Sequence, residues 1–292
     1  MDAHVPQRAP LHRLIPVALD SPIGVFDSGV GGLAILQAIR RELPDEDLLY
    51  VADSANAPYG DRAESFIADR VDAIAAFLIE SGAKAIVAAC NTASVVAIER
   101  LRSWSSVPVV AIEPAIKPAS RATGSGVVAV LATTRTIASE SVARLCAAYG
   151  GGVEILLQAC PGLVEQVERA DLTGRETRAL LERYISPLLA AGADTIVLGC
   201  THYSFLGDTI RAIVGPEVSL VDPAAAVARQ TARRLGSSRR VASPAQPARA
   251  EFFSSSTAEG VDAVMSALWR QHVTVRRLPE ALAADVSPKE SA

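Results

Sequence analysis

An α/β fold of two pseudo-symmetric domains, each a mainly parallel sheet flanked by helices with the active site between them, is predicted by three observations. Continuously apolar segments alternate with amphipathic ones, the same grammar restarts near Gly126, and a fourteen-residue stretch recurs at an offset of 110 residues. Apolar strands of this kind need cover on both faces, which parallel sheets obtain from the helices of right-handed crossovers. A length of 292 residues also suits two domains of roughly 150 residues each.

Residues 1–20 are proline-rich and carry no continuous apolar stretch followed by a small-residue cleavage site, so they read as a flexible extension rather than a signal peptide. Residues 23–26 predict a strand, the glycine-punctuated 28–32 a loop, and Leu33, Leu36, Ile39 and Leu43 the apolar face of a helix. A second strand is expected at 48–52 and a loop at 53–61. Ile67, Val71, Ile74 and Leu78 then share one helical face, with Gly82 as the expected C-terminal cap. Residues 85–89 complete the first set of strands. After Gly126, strands are expected at 127–131, 153–157, 195–199 and 218–221. The aperiodic stretch 236–250 reads as a surface loop, 258–269 as a helix, 273–276 as a late strand, and the tail from 283 as frayed. The first domain is therefore placed at 21–116 and completed by 224–282, with the second at 117–223.

Composition narrows the partners. The chain carries 28 Lys and Arg against 32 Asp and Glu, a net charge of −4, so it lacks the basic excess that phosphate neutralisation requires. Nucleic acid and anionic membrane are disfavoured. Apolar runs such as 85–90 and 127–132 span six residues, whereas a membrane helix needs about 20. Four cysteines are too few for a disulfide framework and point to reduced thiols in a cytoplasm.

Two of those cysteines lie in the repeat. Ser81-Gly-Ala-Lys-Ala-Ile-Val-Ala-Ala-Cys-Asn-Thr-Ala-Ser94 aligns without gaps on Ala191-Gly-Ala-Asp-Thr-Ile-Val-Leu-Gly-Cys-Thr-His-Tyr-Ser204, with Gly, Ala, Ile, Val, Cys and Ser identical. Weaker echoes keep the same order: Asp27 and Ser28 match Ala132 and Thr133, and Asp53 matches Cys160. Generic αβ grammar explains the apolar matches but not a cysteine at both strand ends. Ligands of parallel sheets bind beyond the carboxyl ends of the strands, so Cys90 and Cys200 are expected to face one crevice, each before a helix N-terminus able to lower a thiol pKa. Opposed acid–base groups are what inversion at carbon requires, one removing a proton while the other delivers one to the opposite face.

Phe26-Asp-Ser-Gly-Val-Gly-Gly32, Ala57-Pro-Tyr-Gly60, Ala89-Cys-Asn-Thr-Ala-Ser94 and Gly199-Cys-Thr-His-Tyr203 resemble the signature blocks of glutamate racemases, within the aspartate/glutamate racemase superfamily. The resemblance runs from about Ile23 to Asp222. It implies two facing α/β domains and cofactor-independent interconversion of L- and D-glutamate, the D form being a peptidoglycan precursor. Carried over by motif, Cys90 takes the proton from D-glutamate and Cys200 from L-glutamate, assisted by Asp27 and His202. Ser28, Tyr59 with Gly60, Asn91 with Thr92, and Thr201 hold the amino and carboxylate groups, with Thr133 and Thr136 as further contacts. Glu168 matches a family glutamate near the site. Ala132 and Ser204 depart from the Gly and Pro usual in relatives. The run 109–119 and the N-terminal extension are more like proteobacterial members, some of which depend on a cell-wall precursor as activator. A homodimer is expected.

Competing readings can be set beside these. The glycines at 29, 31 and 32 miss both the dinucleotide fingerprint and the phosphate loop. Asp27 could simply cap the following helix, and His202 could be a satisfied core histidine. Cys146 and Cys160 read as packing residues. No Cys/His pair has zinc spacing, and nothing in the sequence implies a metal or pyridoxal phosphate. A thiol oxidoreductase would ordinarily show Cys-x-x-Cys, which is absent. A non-catalytic sensor of acidic metabolites, or a racemase of aspartate or another amino acid, would share the crevice.

Overall fold

The computed structural model describes residues 18–240 and 247–283. The first apolar run forms β1 (Ile23–Asp27), all five residues buried, as a central strand covered on both faces requires. There follow α1 (Leu33–Glu42), β2 (Leu48–Ala52), α2 (Glu64–Glu80), β3 (Ala85–Ala88), α3 (Asn91–Trp104) and β4 (Val109–Ala111). Ile67, Val71, Ile74 and Leu78 lie on the buried face of α2, the face their spacing predicts. Helix α4 (Ile116–Ala122) leads to the second sheet, built by β5 (Val127–Ala132), α5 (Thr134–Ile137), α6 (Glu140–Tyr149), β6 (Glu154–Ala159), α7 (Leu163–Glu168), α8 (Arg175–Ala190), β7 (Thr195–Leu198), α9 (Gly207–Val214) and β8 (Ser219–Val221). The chain then returns through α10 (Ala224–Leu235) to add β9 (Ala250–Ser254), α11 (Val261–Trp269) and β10 (Val275–Arg277) to the first sheet.

The sheets have strand orders β10-β9-β2-β1-β3-β4 and β6-β5-β7-β8, with every neighbouring pair parallel. The block β2-β1-β3-β4 therefore repeats the order of the second sheet. Register carries the repeat to individual residues. Asp27 pairs with Ala52 as Ala132 pairs with Ala159, and Phe26 with Ala88 as Leu131 with Leu198. Cys90 and Cys200 thus each stand two residues beyond equivalent points, and Asp53 is the counterpart of Cys160.

The same construction feeds both cysteine strands. Gly82 at φ +86° and Gly192 at φ +91° end α2 and α8. The next N–H groups, of Ala83 and Ala193, reach back to Leu78 and Leu188, and those of the glycines to Ile79 and Leu189. This is the Schellman arrangement, which needs a left-handed residue and so favours glycine.

One core cluster runs beneath both sheets and contains Val25, Leu36, Leu131, Leu198 and Cys200. Another fills the outer face of the first sheet under α2 and α3 and contains Cys90. Among the described residues no helix is long and apolar enough to cross a membrane.

Some elements differ from expectation. β4 and β9 were not anticipated; β9 begins at Ala250, the end of the stretch read as a loop, of which 241–246 lie outside the described residues. Helix α11 starts at Val261, and the late strand is shifted to Val275–Arg277. After Cys200 the chain enters a 3₁₀ segment, Thr201–Leu206, before α9. The extension and tail expected at the chain ends lie, apart from residues 18–20 and 283, outside the described residues.

Candidate active site

The carboxyl ends of β1, β3, β5 and β7 meet around a small cavity, and Cys90 and Cys200 both line it. Its free space is about 10 Å³, room for about one water molecule. A far roomier cavity of about 590 Å³ surrounds Pro22, Leu48 and Arg249, near the starts of β1, β2 and β9. No Cys or His lines it, so here chemistry rather than size marks the site.

Cys90 is the N-cap of α3, its sulfur accepting the Ala93 N–H at 3.4 Å and its thiol donating to Ser28 Oγ at 3.5 Å. The Ala93 N–H favours a thiolate, as does the Ser28 hydroxyl when it turns to donate, yet burial, reinforced by the field of Asp27, outweighs them and pushes the thiol up. The sequence reading expected a helix terminus to lower it; in a buried crevice the desolvation of the thiolate is the larger effect. Cys200 faces His202, with Sγ 3.8 Å from Nδ1.

His202 joins the two halves of the site. Its Nε2 lies 2.7 Å from Glu168 Oε1, and its Nδ1 lies 4.0 Å from Asp27 Oδ2. Burial opposes the imidazolium, but the bonds to Cys200 and Glu168 and the field of Asp27 hold its pKa well above the ordinary value. Charged, His202 donates to Glu168. That carboxylate also accepts the Val30 N–H at 2.7 Å and bonds Ser54 Oγ at 3.3 Å, so α7 of the second sheet clasps two loops of the first. The glycine loop allows this approach, since a Cβ at Gly29 would strike Glu168 and one at Gly31 the His202 ring.

Asp27 is fully buried behind the cavity wall rather than lining it. It accepts the N–H of Gly32, the residue before α1, at 2.8 Å without serving as that helix's N-cap, and the Thr201 hydroxyl at 3.4 Å. Burial raises its carboxyl above the usual carboxylate range, only partly offset by His202 and the Gly32 N–H. Thr136 likewise stands behind the wall. Its hydroxyl closes a ring with Thr92 and Thr133 at 2.9 to 3.2 Å, in which Thr92 comes from the first sheet and the other two from the second.

Ser28, Tyr59, Gly60, Asn91, Thr92, Thr133, Thr201 and His202 line the cavity with the cysteines. Asn91 is 2% exposed, and both atoms of its amide lack a hydrogen-bond partner among the described residues, so the amide keeps its full bonding capacity for whatever occupies the cavity. The Tyr59 hydroxyl is committed to Asp53 at 2.6 Å. Tyr59 can therefore offer a ligand its main-chain N–H, at the start of a 3₁₀ turn where no turn acceptor exists.

Pro58 and Val164 also line the cavity and were not anticipated. Val164 sits one turn into the loop and helix that follow β6, and the rule that sites gather beyond strand ends is the signal that reaches it. No lining residue is Lys or Arg. All four cysteines are free, with Cys160 buried and Cys146 half-buried. Among the described residues no group of three or more His, Cys, Asp or Glu could hold a metal ion.

The sequence matches the Asp/Glu/Hydantoin racemase family over residues 23–231. The glutamate racemase of Pseudomonas aeruginosa strain PAO1 is 47% identical over 257 residues, covering 88% of this chain and 97% of the relative. Among solved structures, Escherichia coli glutamate racemase in complex with L-glutamate and the activator UDP-MurNAc-ala superposes with a TM-score of 0.79 at 35% identity, covering 88% of this chain and 98% of the other. The Francisella tularensis glutamate racemase in complex with D-glutamate gives a TM-score of 0.78 at 26% identity, covering 89% and 98%. Repeated sheets, paired cysteines and these likenesses lead to one conclusion: the chain belongs to the glutamate racemases, enzymes that racemise an amino acid.

Proposed function

We propose that this chain interconverts L- and D-glutamate by proton transfer between Cys90 and Cys200, without a cofactor, and supplies D-glutamate for peptidoglycan in the cytoplasm. The observation that carries this reading is a pair of cysteines from equivalent strand ends of two repeated sheets, both lining one cavity. With L-glutamate, the Cys200 thiolate takes the Cα proton and the Cys90 thiol delivers its own to the opposite face. The product is D-glutamate, and the two thiols have exchanged protonation states. The D-to-L direction reverses each step.

The remaining residues divide the work. His202, as an imidazolium beside Cys200, supports the thiolate there. Cys90, held protonated by burial, is poised as an acid, and as a base it draws on the Ala93 N–H, the Ser28 hydroxyl and the substrate's ammonium. Asn91, the Thr92 and Thr133 hydroxyls and the Tyr59–Gly60 N–H groups offer neutral donors to the carboxylates, a role backbone and hydroxyl dipoles can fill without Lys or Arg. The space described is smaller than glutamate, so binding requires the cavity to widen.

Purified protein freed of metal and pyridoxal phosphate should abolish the optical rotation of L-glutamate, and Cys90→Ser and Cys200→Ser should each lose inversion. An inert wild type, with and without a UDP-MurNAc-peptide, would overturn the reading. Activation by that precursor class and a homodimer are proposed with it, the first read by rate on precursor addition and the second by light scattering.

A further inference from the structure

The loop between β2 and α2 presents Pro58, Tyr59 and Gly60 to the cavity, and its shape depends on one buried carboxylate. Asp53, fully buried at the end of β2, accepts from Arg70 Nε at 2.9 Å and Arg70 Nη2 at 2.7 Å, from the Tyr59 hydroxyl at 2.6 Å and from Asn56 Nδ2 at 3.0 Å. Both of its oxygens are doubly bonded, so no acceptor capacity is left for a ligand. Arg70 lies on α2 with its side chain 4% exposed. Its fork takes the carboxylate bidentately, and Nη2 also donates to the Leu282 carbonyl at 2.8 Å. A turn more than two hundred residues away is thereby fastened to the active-site loop.

We propose that Arg70 is a positioning residue: acting through Asp53 it fixes the main chain at Tyr59 and Gly60, and the C-terminal turn at Leu282 is part of the same brace. The proposal rests on reading the crevice as a glutamate site. Neither Arg70 nor Leu282 lines the cavity, and the chain from one to the other is continuous: Leu282 carbonyl, guanidinium, carboxylate, phenol, loop. A lysine can supply one of the fork's contacts but not the bidentate pair. Donors that hold a carboxylate equally in ground and transition states affect KM rather than kcat when displaced.

In full-length Arg70→Lys, KM for both enantiomers should rise about tenfold or more while kcat changes less than about threefold. A merely destabilised enzyme loses active fraction, lowering apparent kcat at constant KM. In Arg70→Ala, millimolar guanidinium should bring KM back toward wild type where equal sodium chloride does not. Should those variants fold poorly, Leu282→Asp, which undocks the turn and leaves the ion pair's side chains intact, should shift KM the same way to a smaller extent. Hydrogen exchange provides a readout independent of turnover: Arg70→Lys should speed exchange in residues 53–61 and 280–283 together. Unchanged KM in Arg70→Lys and Leu282→Asp, or unaltered protection of 53–61, would overturn the proposal. A wild type that fails to racemise glutamate would overturn the functional reading while leaving the exchange result to judge the brace.

Discussion

Replacing Asn91 by leucine, a side chain of similar size, should make the free protein more stable and the enzyme inactive. Asn91 opens α3 at 2% exposure, with amide nitrogen and oxygen both unpartnered. A buried polar group left unsatisfied costs about 1–3 kcal/mol, so two such atoms cost up to about 2 kcal/mol at the low end of that range, and less to the extent that the one water the cavity can hold bonds them. Leucine removes both. At roughly 2–4 °C per kcal/mol for chains approaching this size, the variant should melt above wild type, by up to about 4–8 °C, in scanning calorimetry without glutamate. Saturating glutamate should reverse the ranking, since ligand at a hundred times its Kd adds about 2.7 kcal/mol to a protein that binds it and nothing to one that does not. An Asn91→Leu protein that melts below wild type, or that keeps the full glutamate-induced shift, would refute the inference that the amide is held ready for substrate.

Gly31→Ala should displace the His202 ring, against which its new methyl would collide; displacement of about 1 Å costs on the order of 10²-fold in rate, read as kcat/KM with retained circular dichroism. His202 has a folded-state pKa well above its ordinary 6.5, so its contribution to stability is complete below that value and is lost as pH rises through the folded one. Urea midpoints should accordingly fall more steeply above neutral pH in wild type than in His202→Gln, and parallel curves would deny the imidazolium. In deuterated water, Cys200→Ser should place deuterium in recovered D-glutamate faster than it forms L-glutamate, with Cys90→Ser the mirror case. Identical exchange patterns would sink the assignment of one thiol to each face.

Sequence alone reached the repeat because parallel strand ends and glycine caps leave local signatures: Gly82 and Gly192 each take the left-handed conformation their position demands. The cysteines and most of the cavity wall followed, being clustered within short motifs. β9 escaped because Ala250-Glu-Phe-Phe-Ser254 shows neither a continuous apolar run nor alternation, and it takes its shape from the edge of β2. β4 has only three residues. The pKa direction at Cys90 was misread because capping is local and visible, whereas burial is a property of the assembled crevice. Asp53 with Arg70 was invisible for a similar reason, as seventeen residues and two element types separate partners that only tertiary packing brings together.

Strand order also sets a timetable. A ribosome releases β5 to β8 before β9 and β10, so the four-stranded sheet can be complete while the outer edge of β2 still lacks its neighbour and Arg70 its carbonyl at Leu282. Folding units generally form as they emerge, N-terminal portions first; here the earlier sheet must wait for the last strands to leave the exit tunnel. The nascent chain consequently holds both thiols long before Arg70 can meet the Leu282 carbonyl, so the brace proposed for the loop at Tyr59 and Gly60 closes only after the last strands have emerged.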